Sequence, residues 1–194
     1  MKKRLLFAGV GGQGVLTGAK ILAQAMLQQD TYVFMSEVHG MAQRGGSVVC
    51  TVCAGDVHSP LIADGTADAI ISLEPIEALR HIHKLHSDGI VLTDVNPVIP
   101  PNVSMGYHEY PSLDDVLAEL AERNSLVKID ALQLARDAGH AITKNIVMLG
   151  ALTGLGILSV QRDAVIASVR QAVSNDYVEM NEKAFNLGFK ATRD

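Results

Sequence analysis

The residues of this chain best equipped for chemistry lie in two glycine-bearing stretches. The first is FAGVGGQGVLTGAKILA, residues 7–23, where Gly9, Gly11 and Gly14 satisfy G-x-G-x-x-G. At a strand-to-helix turn, such glycines let backbone amides approach a phosphate closely while the helix N-terminus supplies partial positive charge. Gly12 opens further room for a ligand or a neighbouring chain, and the Gln13 amide both donates and accepts hydrogen bonds. The bland alternative is that the glycines only permit a tight turn. Val15 and Leu16 stand where a Walker loop needs Lys and Ser or Thr, so the nucleoside-triphosphate reading falls. A dinucleotide site also wants an acid after the second strand; Glu37, 23 residues past Gly14, begins a long polar loop instead.

The second stretch is MSEVHGMAQRGGSV, residues 35–48, which gathers Glu37, His39, Gln43 and Arg44 beside Gly45 and Gly46. Arg44 can hold a phosphate or carboxylate bidentately, with glycine amides exposed next to it. His39, with an ordinary pKa near 6.5, is able to move a proton, but a hydrogen-bonding or interface role suits it better. Read without function, this is a polar surface loop in which Glu37 and Arg44 pair. Other candidates are weaker. Cys50 and Cys53 in CTVC sit three apart in a strand and so face opposite sides, as two buried thiols, with no second ligand pair for zinc. In HIHKLH, residues 81–86, His83 and His86 are expected as neighbours on a helix, where the helix dipole explains them as well as a metal does.

The elements that must position these residues follow from hydrophobic period. Residues 3–10 read as a central strand, and 15–28 as a helix with Val15, Ala19, Leu22 and Met26 on one face. Strands are expected at 31–36, 46–52, 67–73, 89–93 and 126–129, with helices after Pro75 and after Ser112. Beyond residue 131 the pattern stays helical. This predicts an α/β protein: a Rossmann-like three-layer sandwich with a mostly parallel sheet and a helical C-terminal part, all in one domain spanning residues 1–194. The loop after the second strand should then border the glycine loop. The uncharged segment from Ile146 to Val160 reads as a buried or interface helix, in which Gly150 and Gly154 let a neighbour approach its backbone.

Composition narrows the function classes. The net charge of −5, with no basic run, argues against nucleic acid as a partner. The 15-residue uncharged segment falls short of the roughly 20 residues of a membrane-spanning helix. MKKRLLFAGVGG has too short an apolar run before its glycines for a secretory signal, so a cytoplasmic strand explains it better.

Taken with VHSPLI at 57–62, LEPIEAL at 73–79 and KNIVMLGAL at 144–152, the two stretches resemble, in order and over nearly the whole chain, the gamma-type domain of 2-oxoacid:ferredoxin oxidoreductases. The resemblance is strongest to the beta-subunit branch of the indolepyruvate:ferredoxin oxidoreductases. It rests most on SEVHGMAQRGGSV, a far more specific block than G-x-G-x-x-G. It implies a subunit of an enzyme that converts an aryl pyruvate and coenzyme A to an aryl-acetyl-CoA, carbon dioxide and reduced ferredoxin. It also implies that thiamine diphosphate, magnesium and iron–sulfur clusters sit in a larger alpha subunit, leaving this chain without catalytic residues or a firmly bound cofactor. Carried over, the residues for coenzyme A or partner contact are Gly11, Gly12, Gln13 and Gly14 with Glu37, His39, Gln43, Arg44, Gly45 and Gly46. Two other readings stay open: a stand-alone oxidoreductase binding NAD(P) or FAD, and a regulatory coenzyme A- or nucleotide-binding module that is a homo-oligomer when isolated.

Overall fold

The computed structural model of the chain describes residues 2–39, 45–123 and 125–193. Among these, six strands form one sheet in the order β2-β3-β1-β4-β5-β6. They are β1 (Lys3–Val10), β2 (Val33–His39), β3 (Ser47–Ala54), β4 (Ala67–Ser72), β5 (Leu85–Asp94) and β6 (Ser125–Ile129). β1 is central because its apolar residues fill both faces: Leu5 and Phe7 enter one buried cluster, Leu6 and Ala8 the other.

β4, β5 and β6 run parallel to β1, but β3 runs antiparallel to both β1 and β2. The sheet is thus mostly parallel, as expected, with one antiparallel strand in a β2–β3 hairpin inserted beside β1. The reason is length: only seven residues separate His39 from Ser47, whereas a parallel crossover takes a dozen or more. The hairpin still puts Ser47 opposite Val10 at the C-terminal end of β1, so the loop borders the glycine loop as expected, for a different reason.

On one face lie α1 (Val15–Leu27), α5 (Ala131–Ala138), α6 (Lys144–Gly154), α7 (Arg162–Ala172) and α8 (Val178–Lys190). On the other lie α2 (Pro75–His81) and α4 (Leu113–Arg123), which contribute Ala78, Val116 and Leu120 to the second cluster. A short α3 (Pro101–Ser104) follows β5. This is the three-layer α/β sandwich with a helical C-terminal part.

The α1 face is the predicted one: Val15, Ala19, Leu22 and Met26 are all buried. α6 is buried from Lys144 through Thr153, and its covering element is α8. A Cβ on Gly150 would lie 2.0 Å from the Phe185 carbonyl oxygen, and one on Gly188 of α8 1.9 Å from that of Val147. The glycines thus let the two backbones touch. Cys50 and Cys53 are buried on opposite faces, and burial lifts the Cys50 thiol to about 11.

The histidine run differs from expectation. α2 ends at His81, a 3-10 turn spans Ile82–Lys84, and β5 already begins at Leu85. His83 and His86 therefore share no helical face. Leu85 is buried, as its apolar character requires, but through strand pairing with Ala67. No group of three or more metal-ligating side chains occurs among the described residues.

Candidate functional site

The glycine loop joins β1 to α1, and much of it is explained by close packing. A Cβ on Gly9 would lie 2.8 Å from the Gln13 Oε1 atom and 2.8 Å from Val15 Cγ2. Gly14 caps α1 in the left-handed region at φ 78°, and a Cβ there would lie 2.6 Å from Asn145 Nδ2. Gly12 is the exception: its φ of 100° demands glycine, yet the space where its Cβ would stand is open. α1 has no side-chain cap and no acid in its first turn, so the positive end of its dipole is left for an anion.

The Gln13 amide turns inward. Its Oε1 accepts from the Val10 amide at 2.7 Å and its Nε2 donates to the Leu73 carbonyl at 2.9 Å. The same carbonyl accepts from Lys144 Nζ at 2.9 Å, and Lys144 also pairs with the fully buried Asp94 at 2.7 Å. Asp94 in turn accepts from the Ala131 amide and from Asn96 Nδ2, both at 3.0 Å. Open α/β sheets place ligands beyond the carboxyl ends of the strands where the order reverses. Here that crevice, between the ends of β1 and β4, is bridged by the protein's own Gln13 and Lys144.

Two concavities remain beside it. A cleft of about 690 Å³ is lined by Gly12, Gln13, Gly14 and Thr17 on one wall and by His140, Ile142, Asn145, Tyr177 and Met180 on the other. Asn145 Nδ2 donates to the Gly14 carbonyl at 3.2 Å, tying α6 to the loop. The second cavity, about 460 Å³, lies toward α2 and is lined by Gly45, Ser47, Glu74, Glu77, Arg80 and Tyr110 together with Val98 and Ile99.

Between them the two glycine stretches clasp each other through their backbones. The Gly11 amide donates to the Gly46 carbonyl at 2.8 Å, and the Gly45 amide to the Gly11 carbonyl at 3.5 Å. The candidates carried from the sequence therefore divide. Gly12, Gln13 and Gly14 line the first cleft, Gly45 lines the second, and Gly11 with Gly46 forms the seam. Glu37 is not in a loop but in β2, opposite Cys50 and three rungs from the Val10–Ser47 end of the sheet, and it lines neither cavity. His39 is the last residue of β2, and Gln43 and Arg44 lie outside the described residues.

Sequence reasoning missed the acidic wall of the second cavity. Glu74 caps α2, accepting from the Glu77 amide at 3.0 Å, and its other oxygen accepts from the Tyr110 hydroxyl. Burial, with the Glu74 carboxylate beside it, pushes the Tyr110 hydroxyl well above its usual range. Burial likewise raises the Glu77 carboxyl, against the opposing pull of Ser47 and Arg80. The available signal was Glu-Pro in LEPIEAL, with a second Glu three residues after the first: an acid directly before a helix-starting proline stands at the N-cap, while the burial of both acids comes only from the fold.

Comparison with known proteins adds to this geometry. The family described as pyruvate ferredoxin/flavodoxin oxidoreductase matches residues 4–191. Indolepyruvate oxidoreductase subunit IorB of Pyrococcus horikoshii is 42% identical over 193 residues, 98% of this chain and 96% of that one. The protein of the same description from Methanothermobacter thermautotrophicus is 36% identical over the full length of both. Among solved structures, the gamma subunit of a keto/oxoacid ferredoxin oxidoreductase from Geobacter sulfurreducens superposes with a TM-score of 0.71 at 26% identity, covering 98% of each chain.

Proposed function

Given that the chain belongs to the pyruvate ferredoxin/flavodoxin oxidoreductase family, we propose that it is the smaller, gamma-type subunit of an indolepyruvate:ferredoxin oxidoreductase. In this reading residues 1–194 are one domain, cytoplasmic, and inactive alone. The larger subunit contributes thiamine diphosphate, magnesium and iron–sulfur clusters, and the assembled enzyme converts an aryl pyruvate and coenzyme A to an aryl-acetyl-CoA, carbon dioxide and reduced ferredoxin.

The observation that carries the reading is the backbone clasp between Gly11 and the Gly45–Gly46 pair. It joins the two stretches on which the family resemblance rests, beyond the C-terminal end of the central strand β1, the end at which open α/β sheets place ligands. An uncapped helix start and an open Gly12 offer amides to a phosphate of coenzyme A or to a carboxylate of the larger subunit. Gly11, Gly12, Gly14, Gly45, Gly46 and Arg44 are the contacts assigned in this reading, with His39 and Gln43 as hydrogen-bonding neighbours. Gln13 supports the loop from within. A dinucleotide enzyme is the less favoured reading, because Glu37 stands on β2 away from the strand end and Gln13 and Lys144 bridge the switch-point crevice.

Co-purification from the native source tests this. The chain should draw down a large protein whose absorption spectrum shows iron–sulfur clusters and which contains thiamine diphosphate. Arg44→Ala should leave this chain folded while weakening coenzyme A-dependent turnover or assembly. Micromolar binding of NAD, NADP or FAD by the isolated chain, with turnover, would overturn the subunit reading.

A further inference from the structure

LEPIEAL supplies two buried carboxylates that the reading above does not use. Glu77 is held from two sides: Ser47 Oγ donates to its Oε2, and Arg80 Nε lies 3.2 Å from its Oε1. Its side chain is only 8% exposed, and Gly45, Ser47, Glu77 and Arg80 line the same cavity. Ser47 is the first residue of β3, and the residue before it, Gly46, accepts from the Gly11 amide. The Gly45–Ser47 segment is thus fixed at two points: the glycine loop through backbone, and α2 through the Glu77 side chain. Burying a carboxylate here is costly, and apolar packing would fill the same volume at less cost. What a carboxylate adds is direction, because each oxygen accepts along its lone pairs from one defined donor.

We propose that Glu77 is a positioning residue: through Ser47, and braced by Arg80, it sets the angle at which Gly45 and Gly46 leave β3 and so aligns them with the Gly11–Gly14 loop. Two anchors of different kind are required because each glycine, lacking Cβ, imposes little on its own backbone. This rests on the reading that Gly45 and Gly46 contribute to the coenzyme A contact.

The test uses the complex reconstituted with the larger subunit, comparing Ser47→Ala, Glu77→Ala, Glu77→Gln and Arg44→Ala. Losing one directional hydrogen bond is worth about a fivefold change. Ser47→Ala and Glu77→Ala should therefore raise the KM for coenzyme A by about that factor or more, with kcat and the 2-oxoacid KM near wild type. Glu77→Gln keeps an acceptor for Ser47 and should recover most of the loss. Ser47→Ala removes one oxygen atom at a half-buried strand end, so it reports even where Glu77→Ala does not fold. An unchanged coenzyme A KM in Ser47→Ala, beside a raised one in Arg44→Ala, overturns the proposal and leaves the proposed function standing. An unchanged KM in all four variants removes the coenzyme A reading itself and this proposal with it. A uniform fall in active enzyme with both KM values constant reduces Glu77 to a stability role and also overturns it.

Discussion

Gln13 and Gly12 are adjacent in the glycine loop, and the fold uses them oppositely. Gln13 is a structural amide, bonded at both ends to the strand termini that flank the loop, while Gly12 combines a positive φ with open space. Residue type suggested ligand contact for both; geometry separates them because an amide side chain can reach back and a hydrogen atom cannot. Glu77 shows the converse, a residue whose role only burial reveals. Its carboxyl is raised above the ordinary 4.5 by burial. The folded state therefore binds the Glu77 proton more tightly than the unfolded chain does. The stability that this proton confers is complete below the unfolded value and is lost as pH rises through the raised one. Denaturant titrations of the wild type and Glu77→Gln across that window should show a wild-type deficit that grows with pH. A constant difference between the two would contradict the raised carboxyl.

Among the elements, the pairing of α6 with α8 is decided by glycine. The sequence marked Gly150 and Gly154 as a place of close approach; Gly188 supplies the matching surface on α8, and the carbonyls of Val147 and Phe185 fill the space of the absent Cβ atoms. Adding a methyl at Gly188 puts it 1.9 Å from a backbone oxygen, where no rotamer relieves the clash. Gly188→Ala should cost about 3 kcal/mol or more, at the upper end of overpacking penalties, measured by chemical denaturation. The same substitution at Gly12 meets no atom within 4 Å and is limited to its positive φ, costing about 1 kcal/mol. The β2–β3 hairpin is the element whose direction the hydrophobic pattern left open. Its strands read correctly as apolar runs, but period cannot distinguish parallel from antiparallel; the seven-residue connection could, and it decides against a crossover.

For the molecule as a whole, the sheet and the helical C-terminal layer are joined at Lys144. Its ammonium, at the start of α6, reaches Asp94 on β5 and the Leu73 carbonyl beyond β4. The Asp94 side chain is 0% exposed, and deleting one partner of a buried pair leaves an uncompensated charge, at a cost of about 3–5 kcal/mol. Lys144→Ala should lower the unfolding free energy by that amount in denaturant titrations, while Lys128→Ala, at an exposed position on β6, leaves it unchanged. Charge pairing of this kind was invisible in the sequence, since residues 94 and 144 are 50 apart and nothing in either segment names the other. What the sequence determined by itself is what local chemistry dictates: the α/β class, the central strand buried on both sides, the face of α1, the opposed cysteines and the two glycine stretches that mark the family. Only the tertiary structure decided how β3 runs, that Gln13 turns inward, that the glycine stretches clasp by backbone, and that one carboxylate braces one of them. These depend on which distant atoms meet, and periodicity carries information only about neighbours along the chain.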